Sequence, residues 1–153
     1  MSSSTPFAVW RTWHSFLPPW PLSWPPLLVW RQRKFSGSSQ ARRSQEQISG
    51  HTADHVFYIG TVEYDGLRNG ILLEAKGSSY LKFFNKDGTP KHGYATSGEF
   101  NNLIAQARAQ LKAAQGIRVQ WHVAEHGMDN ILRYHFERAE IHGIEVIHTP
   151  PLP

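Results

Sequence analysis

The stretch VEYDGLRNGILLEAK, residues 62–76, decides the reading of the fold. Its centre, Asn69-Gly70, is the dipeptide favoured in two-residue hairpin loops, because both positions tolerate positive φ. The flanking Val, Tyr, Leu and Ile residues favour extended backbone. With Asn69 and Gly70 as the loop, Arg68 faces Ile71, Asp65 faces Glu74, and Glu63 faces Lys76. Side chains alternate along a strand, so Glu63, Asp65, Glu74 and Lys76 are expected on one face, and Val62, Tyr64, Leu73 and Ala75 on the other. Two carboxylates directly opposite each other repel. A Mg²⁺ or Mn²⁺ ion between Asp65 and Glu74 would offset that repulsion, since hard oxygen ligands suit these cations. Lys76 would then be placed to assist a water beside a phosphate. The alternative is an ordinary solvated face with weak ion pairs.

Working outward, Val56–Tyr64 reads as a strand or a pair of strands, and Ala41–Ile48 as a short helix stopped at Gly50. Residues 77–98, rich in glycine, serine and lysine, read as a loop. Phe100, Leu103, Ile104, Ala107 and Leu111 recur at helical spacing within Gly98–Gly116. Ile117–Ala124 alternates as a strand, Met128–Glu140 is a second amphipathic helix, and Ile144–His148 is a last strand before Pro150-Pro151. The order helix, hairpin, helix, strand, helix, strand is that of an α/β domain with a mixed sheet flanked by helices.

The 153 residues suffice for one domain with a core. The chain has no cysteine, which excludes disulfides and cysteine-based zinc or nucleophile chemistry. Residues 1–50 hold six Lys or Arg against the single acid Glu46, a balance of +5. The total is +4, so the rest of the chain stands at −1 and its charge is no argument for binding polyanions. Residues 1–40 contain five of the six tryptophans and six of the ten prolines, a composition that blocks helix and central strand alike. That segment is expected to be disordered, with the domain over 41–151. An interfacial tryptophan-rich anchor and a segment with no selected structure are the other readings of the head. No apolar run is long enough for a membrane span, and the order of charge, apolar stretch and cleavage site of a signal peptide is missing.

Several separated segments carry a family likeness. Asp65-Gly66, Asn69-Gly70 and Leu73-Glu74-Ala75-Lys76-Gly77 resemble the core of the restriction-endonuclease-fold toxin family called Tox-REase-5, of the PD-(D/E)xK nuclease superfamily. Gln45–Gly50 resembles its opening helix, Gln106-Ala107-Arg108 and Gln110 its middle helix, and Trp121–Glu125 and Gly143–Pro150 its later strands. The resemblance implies a restriction-endonuclease-like α/β fold and a bacterial nuclease toxin delivered into competing cells. It also implies a cognate immunity protein and action in the target-cell cytoplasm. On this likeness Asp65 and Glu74 match the metal-binding carboxylates and Lys76 the catalytic lysine. Glu46 matches an acidic residue that many superfamily members place on the first helix, with Gln45 and Gln47 as alternatives. Tyr64 stands where the superfamily's name-giving proline would be.

Among the remaining residues, Gln106 is expected to approach the metal site from the helix, with Gln110 one turn on. His122, on the face of Gln120, reads as a structural histidine, with proton transfer as the functional alternative, and His148 could reach the site from the last strand. Trp121 reads as core. Lys82, Lys86 and Lys91 could contact phosphates. No stacking platform or basic groove is visible that would separate DNA from RNA. DNA is the expected substrate, with RNA the near alternative. A non-catalytic interaction module or an inactive toxin cassette is the reading from a different class.

Overall fold

The computed structural model describes residues 26–153, so what is expected of the head over residues 1–25, with Trp10, Trp13, Trp20 and Trp24, lies outside the described residues. Two sheets form. One is antiparallel, in the order β1 (Leu28–Gln32), β2 (His55–Ile59), β3 (Val62–Tyr64). The other is mixed, in the order β4 (Gly66–Arg68), β5 (Ile71–Lys76), β6 (Arg118–Val123), β7 (Ile144–His148). In it β4 runs antiparallel to β5, while β5, β6 and β7 are parallel. Helix α1 (Ser39–Ser49) precedes β2, a short α2 (His92–Thr96) and the long α3 (Glu99–Ala114) connect β5 to β6, and α4 (Met128–Arg138) connects β6 to β7. This is the restriction-endonuclease-like α/β arrangement, with helices on both faces of the mixed sheet. No helix among the described residues is long and apolar enough to cross a membrane.

Local rules account for most element ends. The Ser38 hydroxyl accepts the Ala41 N–H at the start of α1, and Gly50, at φ +73°, closes it. Asn69 and Gly70 both take positive φ, and Arg68 pairs with Ile71 as the turn demands.

Three expectations are corrected. First, Leu28–Gln32 lies in the segment expected to be disordered, yet it pairs with β2 along its length. Trp30 packs edge-on against Phe57 at 5.4 Å between ring centroids, so a residue of the head contributes to the core. Second, the chain 62–68 is not one strand. It breaks at Asp65, whose Oδ2 takes the Ala75 N–H at 2.7 Å in place of a backbone partner. Glu63 therefore belongs to the other sheet, where Tyr58 and Arg33 hold its carboxylate, and it does not share a face with Lys76. Third, the stretch 77–98 contains α2 and a 3-10 turn, Leu81–Phe83.

The charged face of β5 is itself buried. Leu72, Glu74 and Lys76 lie in register with Val119, Trp121 and Val123, all buried, under α3. Leu73 and Ala75 face α1 instead. Both faces are thus covered, as parallel strands require. The second contact is close. A Cβ at Gly66 would stand 2.7 Å from Ser49 Cβ and 3.3 Å from Ser49 Cα, and one at Gly77 3.1 Å from Ala41 Cα. Gly66→Ala is accordingly expected to cost about 2 kcal/mol of unfolding free energy by overpacking. Denaturant titration of the two chains measures it, and equal midpoints would show that α1 does not sit this tightly on the hairpin.

Candidate active site

Strand β5 delivers Glu74 and Lys76 two residues apart onto the interior face, and the break after β3 delivers Asp65 beside them. All three are nearly closed off from solvent, at 9% (Asp65), 5% (Glu74) and 6% (Lys76) exposure. That burial rules out the solvated-face reading of these charges. Lys76 Nζ donates to Glu74 Oε1 at 2.6 Å and to Gln106 Oε1 at 2.9 Å. Gln106 Nε2 donates to the same Glu74 oxygen at 2.8 Å, closing a three-membered ring of hydrogen bonds. The ammonium also lies 4.5 Å from the Trp121 ring centre and 5.8 Å from that of Tyr80.

A second set of bonds holds Glu74 from behind. Gln110, fully buried on α3, donates its Nε2 to Glu74 Oε2 at 2.8 Å and to the Glu63 carbonyl at 3.0 Å. Its Oε1 accepts the Trp121 indole N–H at 2.8 Å, and its backbone carbonyl accepts the Tyr64 hydroxyl at 2.6 Å. Every polar atom of the Gln110 amide is engaged. One helix thus supplies both glutamines, because residues 106 and 110 lie one turn apart.

The electrostatics are unbalanced. Asp65 and Glu74 bring two carboxylates against one ammonium. Burial first, then the Glu74 charge, push the Asp65 carboxyl well above the ordinary carboxylate range, although the Ala75 N–H and Lys76 pull the other way. Burial works against the charge on Lys76, but Glu74 and then Tyr80 outweigh it and hold the ammonium protonated. The Tyr64 hydroxyl is pushed up to about 12, by burial and then by Glu74.

A divalent cation fits this donor set. With Oδ2 on the Ala75 N–H, Asp65 Oδ1 receives no hydrogen bond among the described residues, and ionising it beside Glu74 in this desolvated place, which burial and repulsion oppose, calls for a further positive charge. Among the described residues no three His, Cys, Asp or Glu side chains gather as a metal cage. Mg²⁺ is commonly held by only one or two carboxylates, the rest of its shell being water and substrate phosphate.

A model of the restriction endonuclease fold toxin 5 family matches residues 41–126, a span that includes Asp65, Glu74, Lys76, Gln106 and Gln110. The chain belongs to that family. With it comes the PD-(D/E)xK nuclease superfamily, whose general fold the family shares. No curated protein matches the chain.

Of the residues singled out in this toxin-family domain, Asp65, Glu74, Lys76 and Gln106 come together. Glu46 does not join them. Its Oε1 accepts the Ala53 N–H at 3.1 Å and faces Arg42 at 3.5 Å, so α1 presents it to its own connecting loop. His122 is not brought in either. It stands in register with Ala75, hence on the opposite face from Glu74, where Nδ1 meets Thr149 Oγ1 at 2.8 Å and Nε2 meets Gln120 Oε1 at 3.3 Å. Desolvation there lowers its pKa, which favours a neutral structural imidazole. His148 packs against His126 at 5.4 Å.

The residues that reasoning from sequence passed over are Tyr64, Trp121 and Glu125. The first two look like core residues, and they are; their polar atoms also position Gln110. Glu125 Oε2 accepts the N–H groups of Tyr80 and Leu81 at 2.6 and 2.9 Å, which caps the 3-10 turn and holds Tyr80 by Lys76. No local spacing signals that contact, since 44 residues separate Leu81 from Glu125.

Proposed function

We infer that the chain is a divalent-metal-dependent endonuclease, with DNA its substrate ahead of RNA, acting as a toxin in a competing bacterial cell and neutralised in its producer by an immunity protein. The observation that carries this reading is the buried Glu74–Lys76 pair with Asp65 beside it. Burying an ion pair costs several kcal/mol of desolvation, and well-packed apolar residues of similar volume are often more stabilising. An unbalanced carboxylate pair buried beside an ammonium therefore argues for chemistry over packing. This weighs against a non-catalytic module or an inactive cassette. The family match over the same segment supports the reaction class.

In this reading Asp65 and Glu74 would hold the cation, Mg²⁺ or Mn²⁺. When bound it supplies Lewis acidity at the phosphate and makes water a stronger nucleophile at neutral pH. Lys76, kept charged by Glu74, orients the attacking water and offsets charge developing on the phosphate oxygens. Gln106 fixes the lysine's direction, and Gln110 fixes that of the glutamate.

The full chain is expected to nick supercoiled plasmid in Mg²⁺ or Mn²⁺ and to stop in EDTA. Asp65→Asn and Glu74→Gln should each lower the rate by about 10²-fold or more, the scale of losing one preorganised electrostatic group. His122→Ala, altering the opposite face, should keep the rate. A folded chain that cleaves neither plasmid nor RNA in any divalent metal would overturn the reading.

A further inference from the structure

A cleft of about 350 Å³ opens beside the ion pair, with Lys76 and Gln106 at its inner end. A second, of about 410 Å³, continues outward and shares Phe83, Tyr94 and Glu99 with the first. The outer end is lined by Lys82 and Lys91, both exposed. Between the ends Phe83 and Tyr94 stack face to face, at 4.8 Å between centroids and 16° between planes. Phe83 is only half-buried, and Lys82 Nζ lies 5.0 Å from its ring centre. One groove thus presents, in order, two exposed cations, an aromatic surface and the ammonium of the candidate active site.

The lining carries both signs of charge. Glu99, on the first turn of α3, lines both clefts, and Asn102, one turn on, lines the inner one. A carboxylate repels phosphate, so a polyanion would be held by Lys82 and Lys91 and not by Glu99. Glu99 and Asn102 offer an acceptor and an amide, which suit the donor-bearing edge of a nucleobase. A base that enters this recess to meet Glu99 and Asn102 while its backbone stays at the exposed lysines must be unpaired. The major groove of a duplex presents its stacked base edges to a protruding helix or ribbon, not to a recess of this kind.

Resting on the nuclease reading, we propose that this groove binds single-stranded DNA, an unpaired base displacing the Lys82 side chain from the Phe83 face that Tyr94 leaves uncovered and the adjoining backbone lying against Lys82 and Lys91, so that the strand leads a phosphate to Lys76. The inner carboxylates do not line the groove; Lys76 and Gln106 stand between. The strand therefore enters past the lysine that would meet its phosphate.

The test is equilibrium binding of the full chain, in EDTA, to fluorescent oligothymidylate of about 12 nucleotides, a blunt duplex of the same length and oligouridylate. Single-stranded DNA is expected to bind about tenfold or more tightly than the duplex. Phe83→Leu, which keeps apolar bulk but removes the π-face, should weaken single-strand binding by about 5- to 20-fold. Lys82→Ala with Lys91→Ala should reduce the salt slope of log affinity by about 1.4, the share of two phosphates on a single strand. Duplex binding as tight as single-strand binding, tighter binding of oligouridylate, or an unaffected Phe83→Leu would each overturn the proposal. Because these measurements need no metal and no cleavage, they can fail while plasmid nicking succeeds, or succeed while nicking fails. The groove and the nuclease reading are thus judged apart.

Discussion

Lys76→Met should lose about 10²- to 10³-fold in cleavage rate and at the same time become more dependent on divalent cations for its stability. The two effects share one cause. Lys76 is the cation that lies against Glu74, at 2.6 Å and nearly out of solvent. Methionine has similar length but no charge, so Glu74 would keep only the two glutamine amides and Asp65 would lose a neighbouring positive charge. Breaking a buried pair by removing one partner costs about 3–5 kcal/mol, and the remaining amide bonds place this case toward the lower end. A dication held by the two carboxylates would restore that balance. At a concentration a hundred times its dissociation constant, a ligand of the native state adds about 2.7 kcal/mol. Thermal melts in EDTA and in Mg²⁺ are therefore expected to separate more widely for Lys76→Met than for the parent chain. A variant that cleaves within tenfold of the parent would remove Lys76 from the reaction. Melts that ignore Mg²⁺ in both proteins would remove the carboxylates from metal binding.

Gln110→Leu is the second large effect, and it is one of stability. Leucine matches the glutamine in bulk, so no large cavity forms. What it removes is the amide that simultaneously serves Glu74 Oε2, the Glu63 carbonyl and the Trp121 indole. Each buried group left without its partner costs about 1–3 kcal/mol. The sum is expected near 3–5 kcal/mol, a fall in melting temperature of roughly 10–20 °C for a domain of this size. Calorimetry together with indole fluorescence would check both the magnitude and the place, since Trp121 reports on its own N–H bond. A loss under 1 kcal/mol would mean that the amide network adds little and that Trp121 and Tyr64 are held by packing alone. Gln110→Glu offers a contrast. It keeps the shape but sets a second carboxyl against Glu74, and should destabilise in EDTA and recover in part with Mg²⁺.

These two residues also show how unevenly the site could be read in advance. Lys76 follows from a rule confined to neighbours in the chain: Glu74 and Lys76 are two apart on a strand and must share a face. Gln110 has its helical position legible but not its importance, because its three amide partners lie on β3, β5 and β6. Glu63 illustrates the opposite error. Alternation along an unbroken hairpin places it with Lys76, but the break at Asp65 sends it to the other sheet and to Arg33.

What the sequence by itself determined was the hairpin, its Arg68–Ile71 register and the order of helices and strands from α1 onward apart from the short α2, together with Asp65, Glu74 and Lys76 as candidates. All of these depend on turn chemistry or on periods of two and 3.6 residues, which act over a few positions. The tertiary structure alone decided that the charged face of β5 is the buried one, since this depends on where α3 crosses the sheet. It also decided that His122 faces away from the carboxylates while Trp121 sits under Lys76, a choice made by the parallel pairing of two strands more than 40 residues apart. The Phe83–Tyr94 groove belongs to the same class. Its two rings come from a segment with no periodic pattern, and only the packing of α2, α3 and the 3-10 turn against one another brings them face to face. Long-range placement of this sort is set by the whole core at once, so no window of the chain contains it.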